Sequence, residues 1–500
     1  MVKRSLLAVL LCLLPRAALH AGEGPRRAAD RQARISALKS LPDALKKAQA
    51  PYLKTLAETC QWLIGLQAKT DATTLVAELE GLDDKHPALA GLKKGLEAIT
   101  VPVIFEEAKQ KELATRVKAA RKSRATGLAD VAATYYRAGL TRQACDLLLQ
   151  ALDADPDNAV ARQAFGHVKA GDVWKDPFSA QLLQKGNAYV PECGWVPAAA
   201  VDRVKNGEWF ENGKWMPIAD ADKQHAAGAT PWVIETQHCT LRSTVCRKDS
   251  VQMTERMEGM WQAAGREYTD FFLRERRPPQ MSLSPAMAKK LLVHVFAEKK
   301  DYDALLKREF KNPAVLGLML LYPGMYMPLG HASYFHREVP EPLLSLFPYY
   351  TQNQWAEQIV GEYTQVPIVN GPKPWVTKAL SEALQYAVPD DKGHWTVPTG
   401  RKHPAVAKAA ERAQQNTLPD LAKLMTLDST FFNMPGNPDN SQISAALCRF
   451  LLETKDGVYA LDFLEFAYDA YKSSKTANLH DYVGMDSAAL EKEFLEYVKQ

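Results

Sequence analysis

Between Gly24 and Ala125, apolar residues return at spacings of three and four with few strand-like runs, as in Leu56, Cys60, Leu63 and Leu66. That period predicts packed helices, since it places one apolar stripe along each helical segment. The pattern continues through Leu128, Val131, Ala132 and Tyr135, breaks at Gly139, and resumes at Ala144, Leu148 and Ala151 before Pro156. Gly139 suits a tight turn and Pro156 stops a helix, so two antiparallel helices are expected, brought close by their small residues.

The register of Leu128, Ala132, Tyr135, Gly139, Ala144, Leu148, Ala151 and Pro156 resembles a tetratricopeptide repeat, with Asp155-Pro156-Asp157-Asn158 as the turn into the next helix. A solenoid generally needs about three stacked units to bury its faces. Two arrangements are open: a short degenerate repeat domain with upstream helices as neighbours, or a helical hairpin closing an ordinary bundle. Such a domain has no catalytic chemistry of its own, and the resemblance implies a face that binds a peptide or a protein partner.

From Gly171 to His225 the pattern changes to short strands punctuated by Trp174, Trp195, Trp209 and Trp215. Glu208 to Met216 reads as a hairpin, because Asn212-Gly213 suits the left-handed positions of a type I′ turn. The aromatic residues are either the core of a small module or a carbohydrate or peptide platform.

Two further segments carry the candidate chemistry, Gln354-Trp355-Ala356-Glu357-Gln358-Ile359-Val360-Gly361-Glu362 and Pro374-Trp375 through Ser381-Glu382-Ala383-Leu384. A zinc peptidase motif, HExxH, sets two His ligands at i and i+4 on one helix face with Glu as general base, and a second helix supplies a Glu ligand. The segments resemble this gluzincin arrangement, with Glu357 at the base position and Glu382 at the third-ligand position in a PxW…SEA run. Ala356 and Val360 stand where the histidines would be, so a zinc site on this frame would keep one ligand of three.

From Trp232 onward the order of elements is similar to exported bacterial gluzincin-like domains. Trp232 to Thr244 reads as the opening strand, followed by a long helix through Met257, Met260, Tyr268, Phe271 and Phe272. Lys290 to Ala297 reads as a second strand, with Lys300-Asp301-Tyr302 behind it. Leu321 to Tyr326 holds the place of a Gly-Tyr turn and the edge strand that lines the cleft. Ser441 to Leu452 and Tyr482 to Val498 continue the match, and tandem Gly-Trp hairpins precede such domains.

The expected fold is mainly α with a smaller β component: a helical, repeat-like domain over 22–170, a hairpin module over 171–227 and a gluzincin-like α+β domain over 228–500. Residues 1–21 resemble an export leader, with Lys3 and Arg4, an apolar run from Leu6 to Leu14, and small residues up to Ala21. The run is too short to span a bilayer, and the residues before Cys12 do not fit a lipidation signal. Removing the leader takes three basic residues and lowers the formal charge from +4 to +1, which gives no reason to invoke nucleic acid. The basic cluster Lys118, Arg121, Lys122 and Arg124 reads as a solvated helix face. Cys60, Cys145, Cys193, Cys239, Cys246 and Cys448 remain without any CxxC spacing, so no zinc module or disulfide scaffold is indicated. Cys239 and Cys246 are the nearest pair in sequence.

His331, His336 and Glu338 form the densest set of possible metal ligands, although two histidines five apart do not share a helix face. Glu357 with Glu382 as a glycosidase pair is a remote option. No GxSxG, P-loop or dinucleotide-binding glycine pattern occurs in the chain. These readings lead to an exported, non-catalytic pseudo-metallopeptidase that binds a protein or peptide and needs no cofactor. The alternatives are a working zinc metallopeptidase with atypical ligands and a helical adaptor whose C-terminal half is structural.

Overall fold

The computed structural model describes residues 23–101, 103, 106–226, 230–274, 278, 280–284, 289–311, 313, 316–317, 320–338, 347–364, 372–432, 439–472 and 477–500. The leader expected over 1–21 lies outside the described residues. The fold is mainly α with a smaller β component. The chain forms two compact units, one of residues 33–166 with 280–282, the other of residues 1–32, 167–279 and 283–500.

The first unit is helical. Tyr52, Leu56, Cys60 and Leu63 pack with Ala72, Leu75, Val76 and Leu79 and with Leu89 and Leu92 in one buried cluster, as the three-and-four spacing predicts. Helices Glu107–Arg137 and Thr141–Ala154 form the expected hairpin. Leu128, Ala132, Tyr135, Ala144, Leu148 and Ala151 are all buried along it. Gly139 adopts φ 77°, and the N–H groups of Gly139 and Leu140 cap the carbonyls of Tyr136 and Tyr135, which ends the first helix. At the 155–158 turn Asn158 accepts from the Ala161 N–H at 3.0 Å and starts helix Ala159–Ala164.

The second unit begins with three hairpins, each followed by a short helix. Strands β1 (Val168–Ala170) and β2 (Val173–Lys175) precede helix Pro177–Gln184. Strands β3 (Asn187–Val190) and β4 (Gly194–Pro197) precede helix Val201–Lys205. Strands β5 (Glu208–Glu211) and β6 (Lys214–Pro217) precede helix Ile218–Ala226. The turn residues Asn212 and Gly213 both have positive φ, 50° and 80°, as a type I′ turn requires. The same register position carries a cross-strand pair in each hairpin: Lys169 with Trp174, Tyr189 with Trp195, Phe210 with Trp215. The buried core is formed by Val190, Cys193, Val196 and Val204, with Trp209 and Trp215 partly buried against it. The hairpins are tied to the remainder of the unit through Arg247. Its guanidinium sits 3.9 Å from the ring centre of Trp209 and 4.8 Å from that of Trp232, and its Nε donates to the Cys193 carbonyl at 2.7 Å.

A five-stranded mixed sheet comes next, in the order β10 (Gly324–Met327), β11 (Ala332–His336), β9 (Leu291–Phe296), β8 (Cys239–Ser243) and β7 (Trp232–Glu235). Strands β8, β9 and β11 run parallel, and the two edge strands are antiparallel to them. The single opening strand expected over Trp232–Thr244 is a hairpin instead. Its turn is pinned by Glu258, which accepts from the His238 N–H at 2.8 Å and bonds the His238 ring at 2.7 Å. The His331–Glu338 stretch contains β11, which lies inside the sheet. All five residues of β11 are buried, because both faces of the sheet are covered. Tyr302 and Leu306 of helix Lys299–Glu309 pack with Ala332 and Tyr334 on one face. On the other, Ser250 of helix Arg247–Phe272 bonds Ser243, and Trp355 of helix Phe347–Thr364 meets Phe335.

Helices Pro374–Leu384, Pro404–Gln414, Asn440–Gly457, Ala460–Lys472 and Ser487–Lys499 complete the unit around a buried charge cluster. Arg449 has no exposed side-chain area and bonds Glu267 at 2.7 Å and Glu453 at 2.6 Å. Glu453 in turn accepts from the Gly400 N–H and the Tyr497 hydroxyl. Removing Arg449 strands a buried Glu267 charge, so Arg449→Met should lower the unfolding free energy by about 3–5 kcal/mol, and Glu267→Leu in the same chain should restore much of it. Guanidinium denaturation of the unmodified chain and the two variants measures this.

Next to that cluster His403 is buried as a neutral ring. Its Nε2 donates to the Ala383 carbonyl at 3.0 Å while its Nδ1 accepts from the Ala405 N–H at 3.2 Å, so the bonding partners define the tautomer. Burial and then Arg449 push its pKa from 6.5 down to about 4. Burial, with Arg242, does the same to His294. Both histidines take up a proton more readily when unfolded, so their contribution is present above pH 6.5 and is lost as pH falls towards 4. The urea midpoint should fall between pH 7 and pH 5, and the dependence should be shallower in His403→Gln.

Candidate functional site

Helix Phe347–Thr364 is buried on nearly every side, although its sequence is rich in amides. Each amide side chain has found a specific partner. Gln352 donates to the Ala387 carbonyl at 3.1 Å, and Asn353 donates to Ser381 Oγ at 3.4 Å. Gln358 accepts from Ser333 at 2.8 Å and donates to the Leu292 carbonyl at 3.0 Å, which fixes the helix against β9 and β11. An unpartnered buried amide would cost about 1–3 kcal/mol, so this pattern sets the rotation of the helix about its axis.

That rotation decides where the candidate residues point. Ala356 and Val360, one turn apart, are buried at 0% and 1% exposure, and neither side chain can ligate a metal. Glu357 faces helix Pro374–Leu384, where it accepts a 2.6 Å hydrogen bond from the Lys378 Nζ. Glu382 lies four residues after Lys378 and accepts from the Gln385 amide at 2.8 Å. Burial works against the Lys378 charge, but the Glu357 carboxylate, with Glu382 behind it, outweighs burial and holds the ammonium pKa above its ordinary value. Burial pushes the Glu382 carboxyl up, against the pull of Lys378. Lys378 therefore stays charged beside the Glu357 carboxylate.

These residues do not fit zinc. Two of the three ligand positions are apolar and buried, and the Glu357 carboxylate is engaged by an ammonium rather than by a water to be activated. His331, His336 and Glu338 do not converge either. The His336 ring is buried against Tyr302 at 5.0 Å, and burial lowers its pKa, while His331 and Glu338 are exposed. His331 instead bonds Glu362 through Nδ1 at 3.0 Å, and Glu362 also accepts from the Tyr326 hydroxyl at 2.7 Å. Among the described residues, no group of three His, Cys, Asp or Glu side chains is placed to hold a metal ion.

Strand β10 occupies the edge expected to line a cleft, and its outer side is already bonded. Pro323 accepts from the His336 N–H, so the alternate residues Gly324 and Tyr326 point their backbone groups away from β11. The Tyr326 N–H donates to Gln354 Oε1 at 2.9 Å, and the Gly324 carbonyl accepts from the Tyr350 hydroxyl at 2.6 Å. Two side chains of helix Phe347–Thr364 thus bond where an added peptide strand would pair.

No protein-family model, curated protein or solved structure matches the chain. The sequence reading brought Glu357 and Glu382 onto neighbouring helices but passed over Lys378, Gln354 and Tyr350. Lys378 had a signal, since it stands four residues before Glu382 in a helical period. Lys378→Met should destabilise the protein by about 2 kcal/mol, and the added cost should shrink when Glu357→Leu is also present. A double-mutant cycle by urea unfolding checks the coupling.

Proposed function

We propose that the chain is an exported, non-hydrolytic relative of the gluzincins that acts by binding or scaffolding a protein partner. The observation that carries this reading is the Lys378–Glu357 ion pair beside Ala356 and Val360. A general base in a zinc peptidase must accept a proton from metal-bound water, whereas Glu357 is held by a charged lysine in a site with no histidine. The bonded outer edge of β10 supports the same reading, because a substrate strand would have to displace Gln354 and Tyr350. Export rests on the leader-like first 21 residues of the sequence. Partner binding rests on the resemblance of the Leu128–Pro156 hairpin to a tetratricopeptide repeat. Among the described residues no helix is long and apolar enough to cross a membrane.

The purified protein, dialysed against trace zinc, should hold close to no metal by elemental mass spectrometry and should leave unfolded casein uncut. A stoichiometry near one zinc per chain with peptide hydrolysis would overturn the proposal. The gluzincin frame has its own check. Ala356→His with Val360→His should gain little zinc while Lys378 is present, and adding Lys378→Ala should raise zinc towards one per chain. Zinc that stays absent from a triple variant with native circular dichroism would mean that the two helices are not paired as a gluzincin pair.

A further inference from the structure

Three carboxylates, Asp462, Glu465 and Asp469, lie along helix Ala460–Lys472 at spacings of three and four, which places them on one face. Arg274 reaches two of them, Glu465 at 3.1 Å and Asp469 at 3.2 Å. Two further arginines come from the start of helix Glu23–Gly65. Arg31 donates through Nε to Asp462 at 2.8 Å and through Nη2 to the Tyr482 carbonyl at 2.6 Å. Gly484 closes this socket, because a Cβ there would stand 2.6 Å from Arg31 Nη1. Arg27, one helical turn earlier, lays its guanidinium 3.8 Å from the centre of the Tyr482 ring, with its Nε 3.7 Å from Glu465. The Tyr482 hydroxyl donates to Asp469 at 2.7 Å, which fixes the ring that Arg27 covers. Arg26 and Asp30, on the other side of the same helical turns, pair with each other in the open.

The contacts suit guanidinium geometry. A fork shared between a carboxylate and a carbonyl, together with a flat cation stacked on a phenol ring, is available to arginine and not to lysine. We infer that the face formed by helix Ala460–Lys472, Tyr482 and Gly484 is an arginine-reading docking site, and that residues 23–32 occupy it as a displaceable latch. The recognised element is a helix with arginines at i and i+4. This inference is independent of the zinc frame, since none of its residues belongs to the Glu357 site.

The test uses the full chain with Arg27→Gln and Arg31→Gln, titrated calorimetrically with a synthetic peptide of residues 22–36. The latch-free variant should bind the peptide at least about tenfold more tightly than the unmodified chain, whose own segment competes at an effective concentration near millimolar. A peptide with Lys at both positions should bind at least about tenfold more weakly. Three results overturn the inference: no binding to a variant with native circular dichroism, equal binding by the unmodified chain, or equal binding of the Lys peptide. Should the variant fail to fold, the unmodified chain still decides the matter. A displaceable latch is cut by trypsin after Arg27 and Arg31 faster as salt rises, because salt weakens these pairs. A permanent tie is cut only when the protein unfolds, and that result also overturns the inference.

Discussion

Burial of helix Phe347–Thr364 is the constraint on which the second unit turns. A helix with so many amides can lie inside a protein only if each amide is satisfied, since polar groups taken out of water without partners are costly. Gln352, Asn353, Gln354 and Gln358 reach four different places: the Ala387 carbonyl, Ser381, the edge of β10, and the centre of the sheet. Together they allow one rotation of the helix. The same helix contacts helix Arg247–Phe272, where the Tyr363 hydroxyl donates to the Phe272 carbonyl. Apolar packing alone would tolerate a turned or shifted helix far more readily.

The chemistry of the candidate site derives from that rotation. With Gln358 held against the sheet, Glu357 must face Lys378, and Ala356 and Val360 must enter the core. A carboxylate beside an ammonium is a stable arrangement in a partly dry place, where the paired charges offset each other's burial. It also leaves the Glu357 carboxylate bonded to the Lys378 ammonium. Gln354 and Tyr350 extend the same logic to the sheet edge, where exposed strand groups would otherwise invite another chain.

Several elements of the second unit were legible in the sequence. The long helix through Met257 and Tyr268, the β9 strand and the β10 edge fall where the resemblance in element order placed them. The Trp232–Thr244 stretch was not: its buried positions change phase from Trp232 and Ile234 to Cys239, Leu241 and Ser243, and Glu258, twenty residues away, pins the turn at His238. The hairpin module shows a related limit. Four tryptophans suggested an aromatic core or platform, whereas the buried residues are Val190, Cys193, Val196 and Val204, with tryptophans half-covering them. Trp209 spends one face on Arg247, a contact that local sequence cannot express.

The amino-acid sequence by itself determined the secondary structure of the first unit, the turn chemistry at Gly139 and Asn212-Gly213, and the apolar side chains at Ala356 and Val360. These depend on backbone preference and on which atoms a side chain carries, and neither needs a distant neighbour. Only the tertiary structure decided that Lys378 neutralises Glu357, that Gln354 and Tyr350 bond the β10 edge, and that Arg27 and Arg31 meet Asp462, Glu465 and Tyr482 more than 400 residues later. Those pairings arise from groups that must be satisfied once burial removes water, and their partners are selected by proximity in the folded chain rather than by position along it.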